Sequence, residues 1–160
     1  MKGMTMKGLG ILLAAVATVC AGSAEAMTYA EFKSAIENAE DGATVYLQND
    51  LEYNSALPSS FSKKVTIASA EGQVFTIKRA AKYTDVLISM ARPDMTPEVT
   101  FRNIIIDGNK ETSNTGRFLY ITNGVVTLDA GTVLRNFNSG NTAGPIQLCK
   151  AGRLVMNAGA

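Results

Sequence analysis

Two phrases of alternating apolar and polar residues return along this chain in step. Gly124-Val125-Val126-Thr127-Leu128-Asp129-Ala130-Gly131 is answered 28 residues later by Gly152-Arg153-Leu154-Val155-Met156-Asn157-Ala158-Gly159, and Leu119-Tyr120-Ile121 is answered 27 residues later by Ile146-Gln147-Leu148. The core of the first phrase occurs earlier as Val65-Thr66-Ile67 and Val99-Thr100-Phe101. A period of two belongs to a strand, whose successive side chains point to opposite faces. Val126 and Leu128 therefore share an inward face and Thr127 points outward, while Leu119 with Ile121 and Ile146 with Leu148 form equivalent inward pairs. Two strand phrases advancing together mean stacked coils, because each coil buries its apolar face only against its neighbours. An antiparallel barrel also has many short strands, but it does not repeat one phrase in two registers at a fixed displacement. The pattern predicts an all-β parallel solenoid in which like residues stack about 4.8 Å apart.

The remaining strands follow from the same alternation. They are expected at Thr44–Gln48, Lys64–Ser69, Val74–Arg79, Val86–Met90, Glu98–Ile106, Phe118–Thr122, Val125–Leu134, Pro145–Lys150 and Arg153–Asn157. Turn residues separate them, as in Pro58-Ser59-Ser60, Asp107-Gly108-Asn109 and Asn138-Ser139-Gly140-Asn141.

One segment has a different period. Thr28-Tyr29-Ala30-Glu31 fits a capping box, with the Thr hydroxyl accepting from an orphan N–H and the Glu carboxylate reaching back to the cap. Met27 and Phe32 occupy the positions of a hydrophobic staple. Tyr29, Phe32, Ile36 and Ala39 then recur at helical spacing opposite Lys33, Glu37 and Glu40, and Asp41-Gly42 supplies a stop. A helix over 29–40 is predicted. Laid across the open core of the first coil, its stripe of Phe32 and Ile36 closes that end.

Upstream, Lys2 and Lys7 precede the apolar stretch Leu9–Val19 and the small-residue pattern Ala24-Glu25-Ala26, which together read as a secretory leader cleaved after Ala26. The apolar run is shorter than the roughly 20 residues that cross a bilayer, so no stable membrane span is expected after cleavage. The domain organisation expected is a leader at 1–26, a capping helix at 27–42 and coils at 43–160 that stop within a repeat. Of 15 basic and 14 acidic residues, Lys2, Lys7 and Glu25 lie in the leader, so the mature chain is balanced in charge. It lacks the basic field that gathers nucleic acid or an anionic membrane. Cys20 leaves with the leader and Cys149 stays alone, which rules out an internal disulfide in the mature chain.

The helix ending in "AEDGATVYLQNDL", followed by "SKKVTIAS", "VTFRNIIIDGN" and "GVVTLDAGTVLRNFNSGNTAG", resembles the start of the bacterial adhesin-like, right-handed parallel β-helix proteins of the pectate-lyase type of fold. The resemblance spans essentially the whole mature chain. It rests on positions that stack coils, and so bears on fold far more than on activity.

The candidate chemistry is sparse. The chain has no histidine, which removes Ser-His-Asp and Cys-His nucleophile activation and histidine metal sites. Cys149 falls in register with Thr122 and reads as an outward, structurally neutral thiol. Carboxylates are the remaining acid–base groups, with Asp107, Asp129 and Glu98 as candidates. Asp129 stacks between Arg102 and Asn157, so no carboxylate ladder forms there, and Asp107-Gly108-Asn109 makes a turn. No catalytic set, cofactor or metal is expected. The outward Thr66, Thr100 and Thr127, with Tyr120 and Gln147, form a polar face suited to glycan or protein. The reading is an exported, non-catalytic surface protein for adhesion or for contact with glycan or matrix protein, able to self-associate through its open C-terminal coil. The alternative is the N-terminal portion of a β-helix polysaccharide lyase or hydrolase whose catalytic coils lie beyond residue 160.

Overall fold

The computed structural model describes residues 26–111, 116–137 and 144–160. The predicted leader up to Glu25 and the Asn138-Ser139-Gly140-Asn141 turn lie outside the described residues. Helix α1 (Tyr29–Asn38) begins at the predicted cap: Thr28 accepts from the Glu31 N–H at 3.2 Å, and the Glu31 carboxylate accepts from the Thr28 N–H at 2.8 Å. Asn49 holds the Met27 carbonyl at 3.2 Å. The helix stops two residues earlier than 40, with Ala39 as its C-cap. Its last carbonyls are satisfied from outside: the Lys63 ammonium donates to Glu37 and Ala39 oxygens at 2.7 and 2.6 Å, an interaction the helix's own sequence does not contain. Phe32 and Ile36 are buried where α1 packs on the first strands.

Among the described residues ten strands follow: β1 (Ala43–Leu47), β2 (Leu51–Tyr53), β3 (Lys64–Ser69), β4 (Phe75–Arg79), β5 (Ile88–Met90), β6 (Glu98–Arg102), β7 (Ile104–Asp107), β8 (Leu119–Leu128), β9 (Val133–Arg135) and β10 (Ile146–Met156). Their pairings are parallel. One sheet runs β1-β3-β6-β8-β10 with β5 also on β8, and the other runs β2-β4-β7-β9. The chain is a parallel β-solenoid. Its registers are those of the repeat: Val65, Val99, Val126 and Leu154 stack in one column, and Ile121 stacks on Leu148.

Several strand boundaries differ from the sequence expectation. Glu98–Ile106 is not one strand, because Asn103 adopts φ 50° and turns the chain between β6 and β7; Asn is one of the few side chains that enters this region readily. Val125–Leu134 is broken at Asp129–Thr132, where the Thr132 N–H donates to the Asp129 carbonyl at 3.1 Å. Conversely, Phe118–Thr122 and Val125–Leu128 join as β8 through Gly124, and the two C-terminal phrases join as β10. Gly124 has φ 108°, and a Cβ there would lie 2.5 Å from the Pro97 carbonyl oxygen, so only glycine carries the strand round this corner. β2 is too short for alternation to reveal.

Among the described residues, the largest fully buried side chains are aliphatic or aromatic apart from one. Phe101 and Phe118 are fully buried with ring centroids 5.8 Å apart, and Val126 and Leu128 point inward as predicted. Arg79 is the exception. It is completely buried in the column that alternation assigns to apolar side chains.

Candidate functional site

The outward face of the larger sheet carries the predicted polar residues. β-Branched threonine suits a half-exposed pleated surface, and its alternation with Val, Ile and Phe turns the hydroxyl away from the core. Thr44, Thr66, Thr100 and Thr127 stack directly on one another along β1, β3, β6 and β8. In the adjoining rank Ser89, Tyr120 and Gln147 stack along β5, β8 and β10. The structure thus brings Thr66, Thr100 and Thr127 into one row and Tyr120 with Gln147 into the next. Charged groups flank the rows. Lys64 and Glu98 pair at 3.3 Å in the open, where such a contact contributes little. Asp129 accepts from Asn157 at 3.3 Å in the order the repeat predicts.

Beside Tyr120 opens a groove of about 520 Å³ between the Pro93 loop and the bend of β10, lined by Tyr120, Thr122, Asn123, Cys149 and Lys150. Its wall is fixed by two side chains. Thr122 donates to the Met90 carbonyl at 2.9 Å, and Asn123 donates to the Met95 carbonyl at 2.8 Å. Lys150 takes φ 49° at the register shift between Leu148 and Ala151, which swings the strand away from ideal pairing. The Gln147 amide nitrogen faces the Cys149 sulfur at 3.7 Å, while its Oε1 is buried without a donor. A buried acceptor left unpaired costs about 1–3 kcal/mol.

The carboxylates are not brought together. Glu98 opens β6 in the larger sheet and Asp129 sits in the turn just after β8, whereas Asp107 closes β7 in the other sheet. Asp107 is nearly buried and saturated: it accepts from Arg135 Nε at 2.8 Å, Asn136 Nδ2 at 3.0 Å and the Asn109 N–H at 2.8 Å. Burial pushes its pKa up, but these donors outweigh it and hold the carboxyl below the usual aspartate value. Such an oxygen pair is a poor proton acceptor at neutral pH.

Sequence reasoning missed Thr44, Ser89, Asn123 and Lys150 as members of this face. Thr44 could have been found by extending the Val-Thr alignment back to Ala43-Thr44-Val45, and Ser89 by extending the Leu-Tyr-Ile phrase back to Ile88-Ser89-Met90. Lys150 could not, because its position depends on a strand bend. Comparison of the chain with protein families, with curated proteins and with solved structures finds no match. Among the described residues, no helix is long and apolar enough to cross a membrane.

Proposed function

We propose that this chain is an exported, non-catalytic surface protein that uses the outward face of its larger sheet for adhesion to glycan or to matrix protein. The observation that carries the reading is the stacked row of Thr66, Thr100 and Thr127 beside Tyr120, Gln147 and an open groove. Hydroxyls repeated at the strand spacing of about 4.8 Å offer hydrogen bonds at regular intervals to an extended polymer. Tyr120 adds an aromatic surface against which a sugar ring or apolar side chain can lie. Export rests on the leader pattern, and the adhesin-like character rests on the resemblance of the coil phrases. The saturated Asp107 and the separation of Glu98 from it favour binding over acid–base chemistry.

The test is retention on arrays of polysaccharides and matrix proteins. Binding should fall at least tenfold when Thr100 and Thr127 are both changed to Arg, or Tyr120 to Ala, with the circular dichroism spectrum unchanged. Binding that ignores all three changes removes this face from the reading. Release of reducing ends or unsaturated products from a polysaccharide, abolished by Asp107→Asn or Asp129→Asn, overturns it in favour of an enzyme.

A further inference from the structure

Some threonine hydroxyls in this molecule are spent within the fold. Those of Thr28, Thr122 and Thr132 donate to Glu31 Oε2 at 2.8 Å, the Met90 carbonyl at 2.9 Å and the Phe101 carbonyl at 2.8 Å. Those of Thr44, Thr66, Thr100 and Thr127 take no protein partner among the described residues, and all four residues are partly exposed. Register stacks them into one file, which is four hydroxyls long because the column passes to Val155 in β10. Tyr46 stands beside the first member, two residues beyond Thr44 on the same face of β1, with 47% of its surface exposed. The charged groups two residues to either side of the file are Lys64 with Glu98 and Arg102 with Asp129, two cations against two carboxylates. Lys64 and Glu98 neutralise each other at 3.3 Å.

From this file we infer, resting on the proposal that this face binds a polymer, that the ligand is an uncharged, equatorially β-1,4-linked glycan chain lying along the solenoid axis. Such a chain is an extended ribbon with hydroxyls along both edges, and its advance from ring to ring is close to the strand spacing of about 4.8 Å. Each threonine then meets one ring, with a hydroxyl free both to donate and to accept. Tyr46 offers an aromatic surface to the apolar face of a sugar at the end of the file. A peptide does not fit this arrangement. The backbone groups of β1, β3, β6 and β8 are paired within the sheet, so the face has none left for the strand addition by which extended peptides dock. Residues of an extended peptide also advance about 3.3 Å and alternate in direction, which loses step with rows about 4.8 Å apart. An acidic chain finds no net positive field, because the flanking charges cancel.

Affinity electrophoresis of the full chain through gels carrying a soluble, uncharged β-1,4-glucan should show retardation that survives high salt, because no ion pair holds the ligand. Thr66→Val with Thr100→Val removes two hydroxyls without disfavouring the strands, and should weaken binding about tenfold or more, as the loss of two hydrogen bonds does. Tyr46→Ala should weaken it severalfold, while Thr66→Ser with Thr100→Ser, which keeps the hydroxyls, should retain most of it. All variants should keep the circular dichroism spectrum of the parent. Glucan binding that ignores both the valine and the Tyr46 changes overturns this site. Retention only by polygalacturonate, lost steeply with salt, overturns the uncharged ligand, and capture only by a matrix protein overturns the glycan; either result leaves the adhesive reading of the face standing. No retention by any polysaccharide or matrix protein overturns both.

Discussion

The Arg79 guanidinium donates through Nε to the Tyr53 hydroxyl at 2.9 Å, wholly inside the coil stack. It also donates to the Arg117 carbonyl at 3.1 Å and lies 5.7 Å from the Tyr53 ring centroid and 5.3 Å from that of Phe137. Among the described residues it meets two oxygens and two aromatic faces, and Nη1 has no acceptor. Aromatic faces attract a desolvated cation, which offsets part of the cost of burying it. Gly116 makes room for it: a Cβ at that position would lie 2.6 Å from Nη1.

Arg79→Ala should therefore destabilise the fold by roughly 2–5 kcal/mol, as other large-to-small core changes do. Gly116→Ala should cost about 1–3 kcal/mol from overpacking and a positive φ. In the Arg79→Ala background the steric part of that cost should vanish. Urea denaturation of both single variants and the double variant measures the coupling, and strict additivity contradicts the contact.

Tyr53 sets an alkaline limit. Burial raises its pKa to about 12, against an opposing pull from the Arg79 charge. A group whose folded pKa lies above its unfolded value contributes stability that is fully present below the unfolded pKa of about 10 and is lost as pH rises to the folded one. Stability should fall between about pH 10 and 12, and Tyr53→Phe should flatten that limb. An unchanged alkaline profile in Tyr53→Phe would assign the loss elsewhere.

Asp107 sets an acid limit with the opposite sign. Its folded pKa is depressed, so its contribution is complete above the unfolded value near 4 and is lost as pH falls through the folded one. Asp107→Asn should lower the melting temperature at pH 7 and make it less dependent on pH in the acid range. A parallel shift at every pH would show that the Arg135 pairing is not what titrates.

At the cap, Phe32→Asp places a charge against the sealed end of the core and should cost several kcal/mol, since an unpaired charge in apolar surroundings retains little of its hydration. A thermal transition within a degree of wild type would detach α1 from the solenoid's stability. Thr28→Ala should cost only about 1 kcal/mol, the usual loss of an N-cap.

Two kinds of information shaped this molecule. The repeat of Val65-Thr66-Ile67, Val99-Thr100-Phe101 and Val126-Thr127-Leu128 determined by itself that the chain coils and which residues stack, because alternation and register are local properties that one displaced copy reveals. The capping box at Thr28 and Glu31 was legible for the same reason. The outward row of threonines followed from the alternation, but its alignment with Ser89, Tyr120 and Gln147 beside a groove needed the path of the turns. The tertiary structure alone decided that Arg79 is internal, since a cation is placed there by rings and oxygens from Tyr53, Arg117 and Phe137, far apart in sequence. It alone assigned Asp107 to Arg135 and Asn136 rather than to chemistry, and Lys63 to the end of α1. Tyr53 with Arg79, and Asp107 with Arg135, are stacked register partners in adjoining coils, but periodicity gives only their stacking and not the chemistry of the pair, while Lys63, Arg117 and Phe137 reach their partners from outside the strands, where no repeat encodes them.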